Sequence, residues 1–409
     1  MSRPSAAAAA CVLMLSAGIN PAAEPPNEVP RVAPEEFAIL PWGGSPGDPD
    51  ALREIRECGF NLAGFVAPEH LDAVAAAGLK CIVSDPATHV ADAAAGLDEA
   101  EVQKRVATLT AKAAGHSAVF GYYLRDEPGA GLYPALARWS EAFRQADPKH
   151  VSYINLFPNY ASPGQMGVPT YEEYVDSFVK TVKPAFISYD HYALMDDGSL
   201  RDGYFQNLEA VRKAALKHDL PFWNIVLSNA HFRYAEPSDG GLRFQVYTTL
   251  AYGGRGISYF TYFAPAVGNY RLAPIDPFGH KTPTWDMLRS VNLQIHRLGP
   301  TYLKLKSVNV FHHPDVPAGS AGIDTSRHLA AVTGGRFVVG EFEGPGGRPF
   351  VMIVNKDLHV STAFDVKFKQ PGRIMQTSAY TSQTAPWGGE NNWLAAGQGM
   401  LLSLEPPPK

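Results

Sequence analysis

An α/β fold is what this sequence predicts: a (β/α)8 TIM barrel followed by a C-terminal antiparallel β-sandwich. Three observations predict it. Short β-rich apolar runs alternate with longer amphipathic ones from residue 36 to about residue 300, and eight such pairs can be counted. After Pro300 the long amphipathic runs stop, and short β-rich runs separated by Gly-rich turns take over. The chain has 409 residues, 45% of them hydrophobic, enough to bury one large core and a smaller one beside it.

The strand candidates, in order, are Phe37–Pro41, Asn61–Val66, Lys80–Ser84, Val119–Leu124, Val151–Leu156, Phe186–Asp190, Phe222–Leu227 and Gly256–Tyr262. Helical patterns fill the gaps: Pro49–Glu57, Pro68–Ala77, Glu99–Ala114, Tyr133–Ala146, Tyr171–Val182, Tyr204–His218, Leu242–Tyr252 and, last, Thr284–Leu298. Gly59, Gly78 and Gly115 follow helices, where a left-handed residue ends the turn. Pro148, Pro184 and Pro221 precede strands. Strands spaced by helices pair in parallel through right-handed crossovers, and eight of them suggest closure rather than an open sheet. No Gly-rich phosphate turn follows the first strand, which argues against a nucleotide-binding open sheet. The later runs Val308–Phe311, Leu329–Val332, Phe337–Phe342, Pro349–Asn355, Ala363–Phe368 and Met400–Leu404 read as the sandwich.

The first residues read as a targeting segment. Arg3 precedes an apolar stretch, Ala6–Ile19, too short to span a bilayer comfortably, and small residues Ala22 and Ala23 follow. The expected organisation is therefore a signal peptide at 1–23, a Pro-rich linker at 24–34, the barrel at 35–300 and the sandwich at 301–409. A secreted or periplasmic location follows, with a lipoprotein acylated at Cys11 as the lesser alternative. Cys58 and Cys81 remain after the leader; two buried thiols are expected in preference to a disulfide. A net charge of −5 with 18% charged residues and no basic run argues against nucleic acid as a partner. No later segment is apolar enough for a membrane span, no Cys/His cluster has zinc-ligand spacing, and no cofactor is expected. Oligomeric state is left open.

In such a barrel the chemistry belongs at the C-terminal ends of the strands. Those ends are rich in carboxylates, amides, imidazoles and aromatic rings, and they carry no Ser-His-Asp elbow and no Walker loop. Paired carboxyls among aromatics suit cleavage of a glycosidic bond: one protonates the leaving oxygen, the other attacks, activates water or supports the developing positive charge. Glu127, just past the fourth strand and stopped by Pro128, is the leading proton donor, its pKa raised by the neighbouring Asp126 charge. Its structural alternatives are helix capping or pairing with Arg125. Asp190, at the end of the sixth strand, and Asp126 compete as the second carboxylate; Asp85 is a weaker third. Substrate-binding candidates are Trp42, Asn155, Asn159, Tyr189, His191, Tyr192, His231 and Tyr262. Trp42 suits a sugar-stacking platform, whereas Trp223 inside a strand suits core packing. Asn155 and Asn159 suit hydroxyl recognition, although Asn159 also suits a turn.

The segment Gly121–Gly129, with its Arg125-Asp126-Glu127-Pro128 core, resembles the fourth-strand motif of bacterial glycoside-hydrolase-like barrels of the β-galactosidase, clan A type. Tyr153–Pro158, Ile187–Tyr192 and Gly256–Tyr262 continue the resemblance in order, over most of residues 35–300. It implies a glycosidase with Glu127 as acid/base and a carbohydrate as the partner. This sequence departs from that pattern in two places. Asp126 stands where clan A enzymes carry Asn, and the seventh strand ends Ser228-Asn229 without a carboxylate; Glu236 lies several residues beyond. Families with an Asp-Glu pair at the fourth strand, similar to hexosaminidases, let the substrate's acetamido group attack, which would give Asp126 that supporting role. The expected function is thus a glycoside hydrolase, with a noncatalytic carbohydrate-binding protein on the same barrel, or a lyase or transglycosylase, as the competing readings.

Overall fold

A computed structural model describes residues 36–389 and 392–407. The expected leader at 1–23, Cys11 and the linker at 24–34 lie outside the described residues. Eight parallel strands form one sheet: β1 (Ala38–Pro41), β2 (Leu62–Val66), β3 (Lys80–Val83), β4 (Val119–Asp126), β5 (Val151–Leu156), β6 (Ile187–Asp190), β7 (Phe222–Leu227) and β8 (Gly256–Phe260). Around them run α1 (Pro49–Glu57), α2 (Leu71–Ala76), α3 (Asp92–Ala95), α4 (Glu99–Ala113), α5 (Tyr133–Ala146), α6 (Pro163–Met166), α7 (Tyr171–Val182), α8 (Tyr204–His218), α9 (Asp239–Ala251) and α10 (Pro283–Tyr302). The last helix runs through Pro300, in its final turn, to Tyr302.

The strands run β1-β8-β7-β6-β5-β4-β3-β2, and the ring is completed between β1 and β2 by a side chain. Asn61 is fully buried; its Oδ1 accepts from the Ile39 N–H at 2.8 Å and its Nδ2 donates to the Phe37 carbonyl at 2.9 Å. One amide thus supplies the donor and the acceptor that a strand ladder would. Further up the seam, Phe65 N–H reaches the Gly43 carbonyl at 2.7 Å, and Gly64 makes the approach possible: a Cβ there would lie 2.0 Å from the Gly43 carbonyl oxygen.

Strand residues alternate between two cores. Leu40, Leu62, Ile82, Tyr153 and Trp223 fill the barrel interior, where Trp223 stacks on Phe186 at 4.2 Å. Residues of the opposite parity, such as Ile39, Val83, Leu156 and Tyr259, pack under the helices. Cys58 and Cys81 are buried and unpaired, as expected, and burial pushes the Cys81 thiol up to about 12.

The C-terminal module contains strands β9 (Lys306–His313), β10 (Leu329–Thr333), β11 (Phe337–Glu343), β12 (Pro349–Asn355), β13 (Thr362–Ala363), β14 (Asp365–Phe368), β15 (Arg373–Thr377), β16 (Thr384–Pro386), β17 (Trp393–Leu394) and β18 (Gly399–Glu405). Six form the antiparallel sheet β16-β15-β18-β12-β11-β9, and β10-β14 and β13-β17 are two-stranded. Helix α9 is held between this sheet and the barrel, which explains why it is buried on nearly every face. Its backbone lies directly on the sheet at glycines: a Cβ on Gly340 would sit 1.9 Å from the Ala251 carbonyl oxygen, and one on Gly397 2.0 Å from that of Gly240.

Two stability tests follow. Asn61→Leu leaves two buried backbone groups unpaired, each costing about 1–3 kcal/mol; the urea midpoint should fall with the slope unchanged, and a wild-type midpoint would refute the seam. Gly340→Val should cost about 1–3 kcal/mol or more by overpacking, read by the same titration; a neutral outcome means that α9 does not rest on β11.

Candidate active site

Strand β4 continues two residues past the Leu124 end expected from its apolar run. A bulge between Tyr123 and Arg125 shifts the register against β5, so that Asp126 pairs with Asn155. Glu127 is the first residue off the strand. Its N–H donates to the Asn155 carbonyl at 2.8 Å, and its backbone is left-handed, φ 44°. A non-glycine residue in that region is strained and needs its surroundings to hold it. Tyr174 on α7 does so from below: its hydroxyl donates to the Pro128 carbonyl at 2.6 Å and accepts from the Phe157 N–H at 3.3 Å. Gly129 then passes so close to the Gln165 carbonyl oxygen that a Cβ would meet it at 2.9 Å.

Three carboxyl groups meet at this end of the barrel. The Asn155 amide nitrogen donates to Asp126 Oδ1 at 3.0 Å and to Asp190 Oδ1 at 2.9 Å. Its Oδ1 accepts from the Ser188 hydroxyl at 3.0 Å, which uses the only proton that hydroxyl has. Tyr153, whose hydroxyl lies 3.0 Å from Ser188 Oγ, is then the donor of that pair. The relay Tyr153, Ser188, Asn155 fixes which way the amide faces. Asp190 in turn hydrogen-bonds Glu127.

Burial, with the Asp126 charge added, pushes the Glu127 carboxyl up to about 7, against the opposing hydrogen bond from Asp190. Burial also raises Asp126 to about 6, opposed by the Asn155 amide and the Arg125 charge. Asp190 is only 4% exposed; burial first, and then the charges of Glu127 and Asp126, hold it far above the usual carboxylate range. Burial thus keeps a proton on the Asp190–Glu127 pair near neutrality. No ion pair among the described residues takes up any of the three, so the alternative of an Arg125–Glu127 pair is not what this structure holds.

The other sequence candidates divide by position. Trp42 meets Phe65 edge-on at 5.3 Å and Phe260 at 5.6 Å. Tyr192 stacks on Phe260 at 5.6 Å, and its hydroxyl feels the charges of Asp190, Asp126 and Glu127. Tyr192 is thus close to the carboxyls, and Phe260 joins its ring to that of Trp42. His191 and His231 are buried and held neutral, both pushed down to about 4 chiefly by burial. His191 Nδ1 bonds Asn207 Oδ1 at 2.9 Å; His231 Nδ1 lies 3.1 Å from Asn229 Oδ1 and 6.0 Å separates its ring from that of Tyr192.

Four candidates make other contacts. Tyr189 has the opposite parity to Ser188 and Asp190, so its side chain packs under the helices against Phe222. Tyr262 lies beyond the strand, which ends at Phe260; its hydroxyl accepts from Trp285 Nε1 at 2.9 Å in the same outer layer. Asn159 ties its loop to α8, its N–H donating to Asn207 Oδ1 at 2.8 Å and its Nδ2 to the Gly203 carbonyl at 3.0 Å. Asp85 caps the short turn that follows β3, accepting from the Ala87 N–H at 2.9 Å. Asn155 stays at the site, bonded to carboxylates rather than open to a hydroxyl. Glu236 is exposed and 3.5 Å from Arg271, so β7 brings no carboxylate through it.

Sequence reasoning missed Ser188 and Tyr153, although strand parity with Asp190 and Asn155 identifies them. It also missed Arg201, which lies 4.3 Å from the Tyr160 ring centroid and donates to the Tyr234 hydroxyl at 3.0 Å. No local signal marks that loop arginine. A cavity of about 1230 Å³ opens at the opposite, N-terminal end of the strands, lined by Phe120, Phe186 and Trp223 among others. None of the three carboxyls lines it.

No protein-family model matches this chain, and no curated protein does. Solved structures share its fold. A β-galactosidase from Bacillus circulans sp. alkalophilus superposes with a TM-score of 0.64 at 8% identity, over 91% of this chain and 99% of that one. A glycoside hydrolase family 5 structure from Bacteroides vulgatus gives 0.58 at 12% identity, over 90% and 89%. The chain spans 60% of a β-galactosidase from the psychrophilic Marinomonas ef1, at 0.48 and 10% identity. The barrel with its added C-terminal sheet is thus an architecture known among glycoside hydrolases.

Asn155→Ala removes the donor shared by both aspartates. Asp126 should then titrate above its value of about 6, read by carbon-13 NMR of the labelled carboxyls. A midpoint that stays put or falls would show that the amide does not face them.

Proposed function

We propose that this chain hydrolyses glycosidic bonds, with Glu127 delivering the proton to the leaving oxygen. The observation that carries the reading is the three-carboxyl cluster at the C-terminal ends of β4 and β6, one proton shared between Asp190 and Glu127, beside the rings of Trp42, Phe260 and Tyr192. Glu127 is the partly exposed member of the pair, so it is the one that can meet a bound oxygen. The C–O bond to the leaving group breaks as that oxygen takes the Glu127 proton. Asp126, ionised above about 6, supports the positive charge on the sugar carbon. Water adds to that carbon and returns its proton to Glu127, so the enzyme ends as it began. The shared fold supports this reading at the level of architecture.

A second reading has an observation of its own. Strand β7 ends at Leu227 and is followed by Ser228-Asn229, so the second carboxylate of a β-galactosidase-like pair does not come from there. A carbohydrate-binding protein without turnover fits that feature. Isothermal titration with product analysis separates the two: sugar binding without release of a product selects the second.

A screen of polysaccharides and aryl glycosides is the primary test. On a cleaved substrate kcat/KM should rise as pH passes about 6, where Asp126 ionises, and fall above about 7, where Glu127 loses its proton. Glu127→Gln should lower kcat by about 10²–10⁴. The same variant should be more stable than wild type above pH 7. A carboxyl whose folded pKa exceeds its unfolded one loses stability as pH rises through the folded value, and glutamine removes that loss. Full turnover by Glu127→Gln, or a loss of stability at pH 8, sinks the assignment.

A further inference from the structure

Beyond the cluster, the loop after β7 presents an aromatic ring whose placement the barrel core does not require. Phe232 is 75% exposed and sits on a left-handed backbone, φ 44°. The conformation is held from outside: its N–H donates to Asn269 Oδ1 at 3.0 Å. The β7 and β8 loops are also zipped together by the Ala230 N–H to the Arg271 carbonyl at 2.9 Å and the return bond at 2.8 Å. An exposed phenylalanine forgoes burial, and a strained one forgoes a relaxed backbone, so two loops cooperate to hold an arrangement that local energetics oppose.

The ring is also the outer end of a continuous aromatic path. Tyr192, beside the carboxyls, faces His231 at 6.0 Å; His231 stacks on Tyr270 at 5.1 Å and 22°, and meets Phe232 at 5.2 Å. His231 is held neutral at ordinary pH by burial and by the nearby Arg271 charge. The exposed Phe232 ring at the outer end of this series suits the apolar face of a sugar ring bound beyond the cluster. Resting on the reading of the site as glycosidic, we propose that Phe232 is the stacking platform of a distal subsite, and that the ligand is an extended glycan rather than a disaccharide.

The test uses full-length chain carrying Glu127→Gln, so that sugars are bound without being consumed. Cello-, manno-, xylo- and galacto-oligosaccharides are titrated calorimetrically, each as disaccharide and hexasaccharide, with and without Phe232→Ala. The expected result is tighter binding of one hexasaccharide than of its disaccharide, with Phe232→Ala weakening the hexasaccharide about three- to tenfold and leaving the disaccharide unchanged. Phe232→Trp should restore the difference. Equal affinity for both lengths, or a hexasaccharide affinity indifferent to Phe232→Ala, overturns the distal subsite while leaving the glycosidic reading standing. Binding of no sugar by the parent overturns that reading and the inference together. A change in sedimentation coefficient on Phe232→Ala without a change in hexasaccharide affinity assigns the ring to contact between copies and also overturns it.

Discussion

The site depends on one amide. Asn155 donates to Asp126 and Asp190 at once, and it can do so only because the bulge in β4 brings Asp126 opposite it. Without a donor between them, two buried carboxylates at this separation from a third would repel, and the chain would relieve the repulsion by protonation or by turning side chains outward. With the amide in place, two oxygens that must accept are pinned, and the mobile proton is confined to the Asp190–Glu127 contact. Ser188 and Tyr153 extend the same logic into the barrel: each hydroxyl spends its proton on the next group, so the amide cannot flip without breaking two further buried bonds.

That local order is expensive, and the rest of the fold is arranged to hold it. The barrel closes through the Asn61 amide and a glycine approach, and helix α9 is clamped by a sheet whose glycines admit its backbone. Both joints exchange side-chain bulk for backbone proximity, which leaves little room for the strands to slide. A register shift of one residue between β4 and β5 would place Asp126 against the helices instead of Asn155. The scaffold's rigidity is therefore part of the electrostatics.

The architecture was legible because Gly and Pro punctuate almost every strand and helix, and the apolar runs have the right lengths. The carboxyls were legible as strand-end residues. What escaped has physical reasons. Tyr189 and Tyr262 sit at strand ends but on the wrong side: Tyr189 by parity, Tyr262 because β8 stops at Phe260. The full length of β4 was hidden because its last two residues, Arg125 and Asp126, are charged, and their pairing is made by a bulge that hydrophobic pattern does not encode. The helix expected from Leu242 begins instead at Asp239 and takes in Gly240 and Gly241, where the Leu358 carbonyl lies against Gly240 and Leu194 against Gly241. Arg201, Tyr160 and Phe232 reach the mouth only through loops that barrel closure brings together.

The direct Asp190–Glu127 hydrogen bond also constrains the chemistry. An inverting pair stands roughly 6.5–9.5 Å apart because a water must fit between carboxylate and sugar carbon. Two carboxyls that share a proton leave no such space between themselves. Inversion with this pair as acid and base therefore requires the contact to open. Asp126 is differently placed: its carboxylate is held by the Asn155 amide and the Glu127 backbone N–H, and it ionises one step earlier. On the proposed reading, the proton belongs to the Asp190–Glu127 pair and the standing negative charge to Asp126. On that reading Asp190 does not attack; it stabilises the Glu127 carboxylate left after transfer, while burial and the Asp126 charge keep Glu127 protonated near neutrality. A residue that is buried, neutral and hydrogen-bonded on both sides is suited to that task and to little else.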